Sequence, residues 1–496
     1  MSQLSRPILA LAICAAITAC GSAPADVSAP TAPARAIPTI TAASARLLDW
    51  PEFGLDPQRS DASSLSTGIT SANVAHLHRV TVSLPGTVDS SPVYVHRASV
   101  AGGRHSAVIV TTSYGKTLAI DAGNGRVLWT FTPRGYSGWA GSSQITNTSP
   151  LIDPGRRFVY AASPNGQIHK LSLASGREVK GWPVSVTRDP THEKLGAALN
   201  IDGAYVLVAT SGYLGDAPPY QGHLVAIARS SGRVASVFNT LCAQRRAVIV
   251  PSSCSASDSA ILSRGGAVVE PGGQRVLIST GNGPWNGATN FGDSVIELSL
   301  AGLRPRQAFT PADQAHLNES DTDLGSSAPV LLGQGRVLIA GKDGVMRVLS
   351  LLHLDGRTAP IPNHLGGEVQ RLPLPGGGEL FTAPAVWTHA GATTMFVGAE
   401  GATAAYTLSA GRLRLVWQNS NPGTSPIMAG GLLYVYDPSS GGIYVYRPNS
   451  GSPIAKLPGA PGHWNSPIVV DGHVIEPEGD ANDQSLNGTL DLFSTD

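Results

Sequence analysis

Four polar side chains of chemically useful type stand at the ends of strand-like runs: Asn282, Asp321, Asp323 and Lys342. Asn282 follows the run Arg275-Val276-Leu277-Ile278-Ser279, inside Gly281-Asn282-Gly283-Pro284-Trp285-Asn286. The two aspartates precede the apolar run after Ala328-Pro329, and Lys342 lies in Gly341-Lys342-Asp343-Gly344. Hydrophobic runs bounded by Gly, Pro and Asn read as buried strands, which puts these polar clusters at strand ends. An amide oxygen and two carboxylates are donors that a hard cation takes, and a carboxylate can take a proton. Such chemistry requires the strand ends to point one way. The same residues also suit plain turn formation, since Asp favours turns and caps and Asn between glycines suits a left-handed position.

The composition narrows the setting. In 496 residues there are 57 Gly and 37 Pro, only 14% charged residues and a formal net charge of zero, so no broad electrostatic attraction to nucleic acid is expected. Arg6 followed by the apolar residues 7–19 suits a signal-peptide core and is too short to span a bilayer. Ile17-Thr18-Ala19-Cys20-Gly21 resembles a bacterial lipobox, which implies cleavage of residues 1–20, lipidation of Cys20 and anchoring by acyl chains. The alternative is an ordinary signal peptide with a chance cysteine. Gly21 after the lipidated position is similar to lipoproteins sent to the outer membrane, facing the periplasm. Residues 21–48, rich in Ala, Pro and Ser, read as a disordered tether.

With Cys14 removed and Cys20 lipidated, Cys242 and Cys254 remain. In an oxidising compartment they are expected to form a local disulfide worth about 2–3 kcal/mol. Zinc would need further ligands nearby, and none is evident. The chain has no C-x-x-C-H haem-attachment motif, so no haem is expected and electrons from any redox chemistry would leave through a separate acceptor.

A repeat supplies the elements that must position the polar clusters. Each copy runs through a Ser-Pro or Ala-Pro dipeptide, an apolar strand, a Gly-containing hairpin, two further strands and a closing Gly turn. Copies open at Ser91-Pro92, Ser149-Pro150, Ala328-Pro329, Ala383-Pro384, Ser425-Pro426 and Ser466-Pro467; two more, around Tyr205 and from Gly266, keep the strands without the dipeptide. Repeats of roughly 40 to 60 residues with three or four short strands each are what a β-propeller needs, because a small sheet can bury its faces only against neighbouring sheets. The fold class is therefore all-β, a single eight-bladed propeller over residues 49–496. The segment from His78 to Leu84 is expected to close the ring as the outer strand of the last blade.

Asp49-Trp50-Pro51-Glu52-Phe53-Gly54, the blade ending Leu118-Ala119-Ile120-Asp121-Ala122-Gly123-Asn124-Gly125-Arg126-Val127-Leu128-Trp129 and the motif around Asn282 resemble the eight-bladed quinoprotein dehydrogenases, which use pyrroloquinoline quinone (PQQ). The blade phrase is also similar to that of the lipoprotein of the outer-membrane barrel-assembly machinery, which is not an enzyme. In a propeller the loop entering the first strand of a blade and the loop between its second and third strands share one face, so all four polar residues converge there. The resemblance implies metal ligands at Asn282, Asp321 and Asp323, with Asp321 as catalytic base and Asp323 similar to the extra aspartate of lanthanide-using members. It implies that Lys342 contacts the quinone oxygens. PQQ with calcium or a lanthanide would be the cofactor.

The chain departs from that pattern. Tyr213 stands where a carboxylate ligand is expected, with Asp216 close but out of register; Arg264 aligns with the tryptophan floor under the quinone; the disulfide between adjacent cysteines is absent. Trp285 and Trp464 are aromatic alternatives on the same face. The irregular cluster Glu476, Glu478, Asp480 and Asp483 reads as a solvated loop, and His463 as structural. Two main expectations follow: an extracytoplasmic dehydrogenase of an alcohol or sugar, or a non-catalytic scaffold among envelope proteins with a degenerate cofactor site. A receptor for a polymer or small ligand in the same funnel is a third.

Overall fold

The computed structural model describes residues 48–357 and 364–495. The expected signal segment with Cys20, and the tether up to residue 47, lie outside the described residues. The rest forms eight separate sheets, all of four antiparallel strands except the seventh, which adds a fifth. Blade one comprises Val93–Val100, Gly103–Thr111, Thr117–Asp121 and Val127–Phe131. Blades two to seven follow in chain order from Leu151–Ile152, Asn200–Asp202, Val268–Val269, Val330–Gly333, Ala385–His389 and Ile427–Ala429. Blade eight takes Ile468–Val470, His473–Glu478 and Gly488–Ser494 from the C-terminus and its outer strand, His78–Leu84, from the N-terminus. The register is continuous, with Val82 opposite Leu490 and Val80 opposite Leu492. The expected closure is present.

Most strands read as unbroken apolar runs because both faces of each sheet are covered by neighbouring blades, as Val108, Ile109 and Val110 are. Exposure returns at the outer strands, for example Arg412–Gln418. The glycine turns and tryptophans of the repeat join one blade to the next. Trp129 donates from Nε1 to Leu173 O at 2.9 Å and lies against Gly176, whose φ of 67° and lack of a side chain make room for the ring. Trp417 docks similarly, on Pro448 O and Gly451.

The acidic cluster near the C-terminus corrects the expectation of a solvated loop. Glu476 and Glu478 belong to the strand His473–Glu478 and are buried between blades. Burial raises the Glu478 carboxyl to about 7 and Glu476 well above its ordinary value. Asp480 caps the short turn Ala481–Asp483 by accepting from Asn482 N at 2.8 Å.

Residues 50–61 thread the axis of the ring. Their backbone pairs with Tyr94, Ile152, Val269, Val386 and Met428, on the innermost strands of blades one, two, four, six and seven. Arg59, almost fully buried, pairs with Glu52 at 3.0 Å and donates to Phe53 O, Leu199 O and Gly265 O. Trp50-Pro51-Glu52-Phe53-Gly54 is thus part of an axial plug. Replacing Arg59 by alanine leaves Glu52 buried without its partner and is expected to cost about 3–5 kcal/mol. Thermal unfolding would read this as a marked fall of the midpoint, and an unchanged midpoint would refute a stabilising role for the pair.

Candidate functional site

The loops entering the first strands and those following the second strands open on one face, around a funnel of about 790 Å³. Asn282 follows Arg275–Ser279 of blade four, Asp321 and Asp323 precede Val330–Gly333 of blade five, and Lys342 follows Arg336–Ile339 of the same blade. All four line the funnel. Asp323, 3% exposed, accepts from Asn282 N at 2.7 Å and pairs with Lys342 Nζ at 2.6 Å. Asp321 is open to the funnel at φ 52°; its carboxylate accepts from Asn282 Nδ2 at 3.2 Å and stands 3.5 Å from Lys342 Nζ. Burial disfavours the Lys342 ammonium, but the Asp323 carboxylate outweighs it and raises the lysine above its ordinary value. The glycines before Asn282 and Lys342 have a steric reason. A side chain at Gly281 would meet the Asp323 carboxylate, and one at Gly341 would meet the Asp323 carbonyl.

Other carboxylates share this wall. Asp216 lines the funnel and accepts from Tyr220 Oη at 2.9 Å, and Asp258 and Glu379 line it too. All three are raised above the ordinary range, chiefly by burial. Tyr213 also faces the funnel, but its hydroxyl donates to Pro190 O at 2.9 Å. Trp285 is half-buried on its turn, bridged to Phe291, and does not line the funnel. Cys242 and Cys254 are disulfide-bonded as expected.

The floor is built from one recurring position, four residues before the innermost strand: Asp89, Asn147, Gly196, Arg264, Ser326, Phe381, Gly423 and Trp464. Arg264 binds Asp89 through Nη2 to Oδ1 at 2.7 Å and Nη1 to the backbone carbonyl at 2.9 Å. The other Asp89 oxygen accepts from His463 Nδ1 and Asn147 Nδ2, each at 2.8 Å, and from Ala481 N at 3.3 Å. Burial opposes this carboxylate, but Arg264 and His463 hold it below its ordinary value. Over Arg264, at 5.1 Å, lies the ring of Trp464, stacked in turn with Phe381 at 4.4 Å and His463 at 3.9 Å. Oxygen or nitrogen atoms of Asp89, His463 and Asp480 lie within 4.8 Å of one another. Both Asp89 oxygens are already engaged by Arg264, His463, Asn147 and Ala481, so this group reads as a structural hub.

Residues 71–289 match the family model described as outer membrane protein assembly factor BamB. Among solved structures, quinohemoprotein alcohol dehydrogenase from Comamonas testosteroni superposes with TM-score 0.65 at 15% identity, covering 91% of this chain and 81% of the other. A europium-containing methanol dehydrogenase gives 0.63 at 15% identity, over 90% and 98%. BamB from Moraxella catarrhalis gives 0.52 at 13% identity, over 85% and 98%. No curated protein matches the chain. The chain is an eight-bladed β-propeller, and its fold is similar to that of the quinoprotein dehydrogenases.

Tested against PQQ with a calcium or lanthanide ion, the two halves of the funnel differ. Asn282, Asp321 and Asp323 offer oxygen donors of the class that calcium or a lanthanide takes, and Lys342 already places a positive charge between the carboxylates. The floor does not fit a flat quinone. The guanidinium of Arg264 is tied to Asp89, and the ring lying over it is the protein's own Trp464.

Asp89, Asn147, Asp258, Phe381 and Glu379 escape motif reading because each is unremarkable alone. The signal that reaches the floor residues among them is their fixed place before each blade's first strand. Replacing Asp89 by asparagine removes the counter-charge of buried Arg264, at an expected cost of about 3–5 kcal/mol. A carboxyl held low stabilises the fold above its unfolded value of about 3.9 and loses that contribution as pH falls through its folded value. The gap in thermal midpoint between wild type and D89N should therefore be full at neutral pH and shrink in acid. A gap independent of pH would show that the Asp89 charge is not what stabilises.

Proposed function

We propose that this chain is a lipid-anchored extracytoplasmic propeller that acts as a non-catalytic scaffold among envelope proteins, its funnel a degenerate cofactor site. Residues 1–20 would be its signal peptide, Cys20 its acylated anchor, 21–48 its tether and 49–496 its working domain, at the outer membrane facing the periplasm. The observation that carries the reading is Trp464 lying over Arg264, where a quinone would have to stack. The match of residues 71–289 to an outer-membrane assembly factor model supports it. Fold likeness to dehydrogenases does not oppose it, since function resides in sites carried on folds.

A second reading, a PQQ- and metal-dependent dehydrogenase of an alcohol or sugar with a separate electron acceptor, is favoured by the convergence of Asn282, Asp321, Asp323 and Lys342. In that reading Asp321 would be the base, and Trp464 would have to leave the floor.

Tryptophan quenching on titration with PQQ in calcium or a lanthanide, with dye-linked alcohol oxidation measured alongside, separates the two. The scaffold reading expects neither saturable quenching nor turnover, and either signal would overturn it. Affinity capture from solubilised envelopes is expected to return a reproducible set of envelope proteins with the wild-type chain, and repeated captures without one would count against the scaffold.

A further inference from the structure

A second cavity, of about 470 Å³, adjoins the funnel where blades six, seven and eight meet. It exists because blade seven places a glycine, Gly423, at the floor position. A side chain there would come within 2.2 Å of Val435 Cγ1, so the backbone packs too closely to admit one. Phe381 from blade six and Trp464 from blade eight meet beside this gap, their rings stacked at 4.4 Å and 16°. The stacked pair forms one wall of the cavity. Thr382 and Thr424, next in sequence to the floor positions of blades six and seven, also line it. They are 4% and 1% exposed, and neither hydroxyl oxygen has a hydrogen-bond partner among the described residues. Buried polar groups are ordinarily paired, so two unpartnered hydroxyls on one cavity point to a ligand that supplies what the chain does not.

The rest of the lining narrows the ligand. Glu379, before the innermost strand of blade six, and Glu400, after its second strand, both line the cavity. Glu400 accepts from Glu379 N at 3.3 Å, and neither carboxylate is in an ion pair among the described residues. No lysine or arginine lines the cavity, and His463 is engaged through Nδ1 with Asp89. The lining therefore offers acceptors and an uncompensated negative charge, which calls for a cation. A metal ion is disfavoured, because these carboxylates belong to no group of ligand atoms close enough together to hold one. An organic cation that is flat and carries several donors suits an aromatic wall faced by carboxylates and hydroxyls. A guanidinium is such a group, and it both stacks on rings and forks onto carboxylates.

We propose that the cavity at Gly423 is a binding site for a guanidinium group, held between the Phe381–Trp464 stack and the acceptors Glu379, Glu400, Thr382 and Thr424. The same chemistry could be borne by a free guanidino compound or by an arginine side chain of a partner protein. The site uses none of Asn282, Asp321, Asp323 and Lys342, so the inference stands apart from both readings of the funnel.

Calorimetric titration of the full chain with Nα-acetylarginine amide, agmatine and Nα-acetylcitrulline amide, each on wild type, T424V and the double variant E379Q/E400Q, tests this. Wild type is expected to bind a guanidinium compound saturably and the citrulline compound, which keeps the shape without the charge, about tenfold or more weakly. The double variant should weaken guanidinium binding by about tenfold or more, as for lost charge-assisted hydrogen bonds, and T424V by a smaller factor. Tighter binding of agmatine would support the site and assign it to a free guanidino compound; tighter binding of acetylarginine amide would support it and assign it to a protein side chain. No saturable binding of either, equal binding of the citrulline compound, or unchanged affinity in E379Q/E400Q would each overturn the proposal. A wild-type thermal midpoint shows that lost affinity is not lost folding, and the partly exposed Glu379 and Glu400 keep the test decisive if T424V does not fold.

Discussion

The pairing of His78–Leu84 with Gly488–Ser494 is the constraint on which the rest depends. A four-stranded sheet of this size cannot bury its apolar faces alone, and a row of them leaves two uncovered ends. Joining the ends removes both, so that Val108, Leu277 or Val435 can be apolar on strands without a solvent face. The axial plug acts inside the ring as the closing strand acts at its rim. Its backbone bonds reach the innermost strands of five blades, and Arg59 adds the carbonyls of Leu199 and Gly265. The plug thus braces the carbonyl next to Arg264 from beneath.

Closure dictates what the open face can contain. One backbone position, repeated eight times, surrounds the axis, so each residue placed there contributes to a common floor whatever its neighbours in sequence. Asp89 uses this arrangement to gather Arg264 from blade four, Asn147 from blade two and His463 from blade eight. A buried guanidinium demands such a counter-charge, and once it has one it no longer offers an open flat surface. Trp464 covers it. Floor chemistry and wall chemistry thereby separate within one funnel: oxygen donors and Lys342 on the side of blades four and five, and an aromatic and guanidinium stack between blades four, six and eight.

This separation bears on how such folds change use. The wall needs only Gly281 and Gly341 to let two loops close on Asp323, a local requirement that survives changes elsewhere. The floor is a cooperative unit of residues from distant blades, so an arginine at position 264 is tolerated only with Asp89 opposite it. Wall and floor can therefore diverge independently.

How much of this was legible without coordinates differs by element. The repeat phrase and the leftover apolar segment at His78 determined the number of blades and the closing strand, because burying both faces of a small sheet has few solutions. The strand-end positions of Asn282, Asp321, Asp323 and Lys342 determined that they share a face, since strand direction alternates within a blade. Cys242 and Cys254 were paired by elimination. Glu476 and Glu478 were not legible as buried, because an acidic run says nothing of which strand will cover it. The sequence also showed Arg264 as a departure but could not show its consequence. Only the tertiary structure brought Asp89, 175 positions away, to the guanidinium and laid Trp464 over it, because contacts across the axis of a closed ring join residues that no local pattern relates.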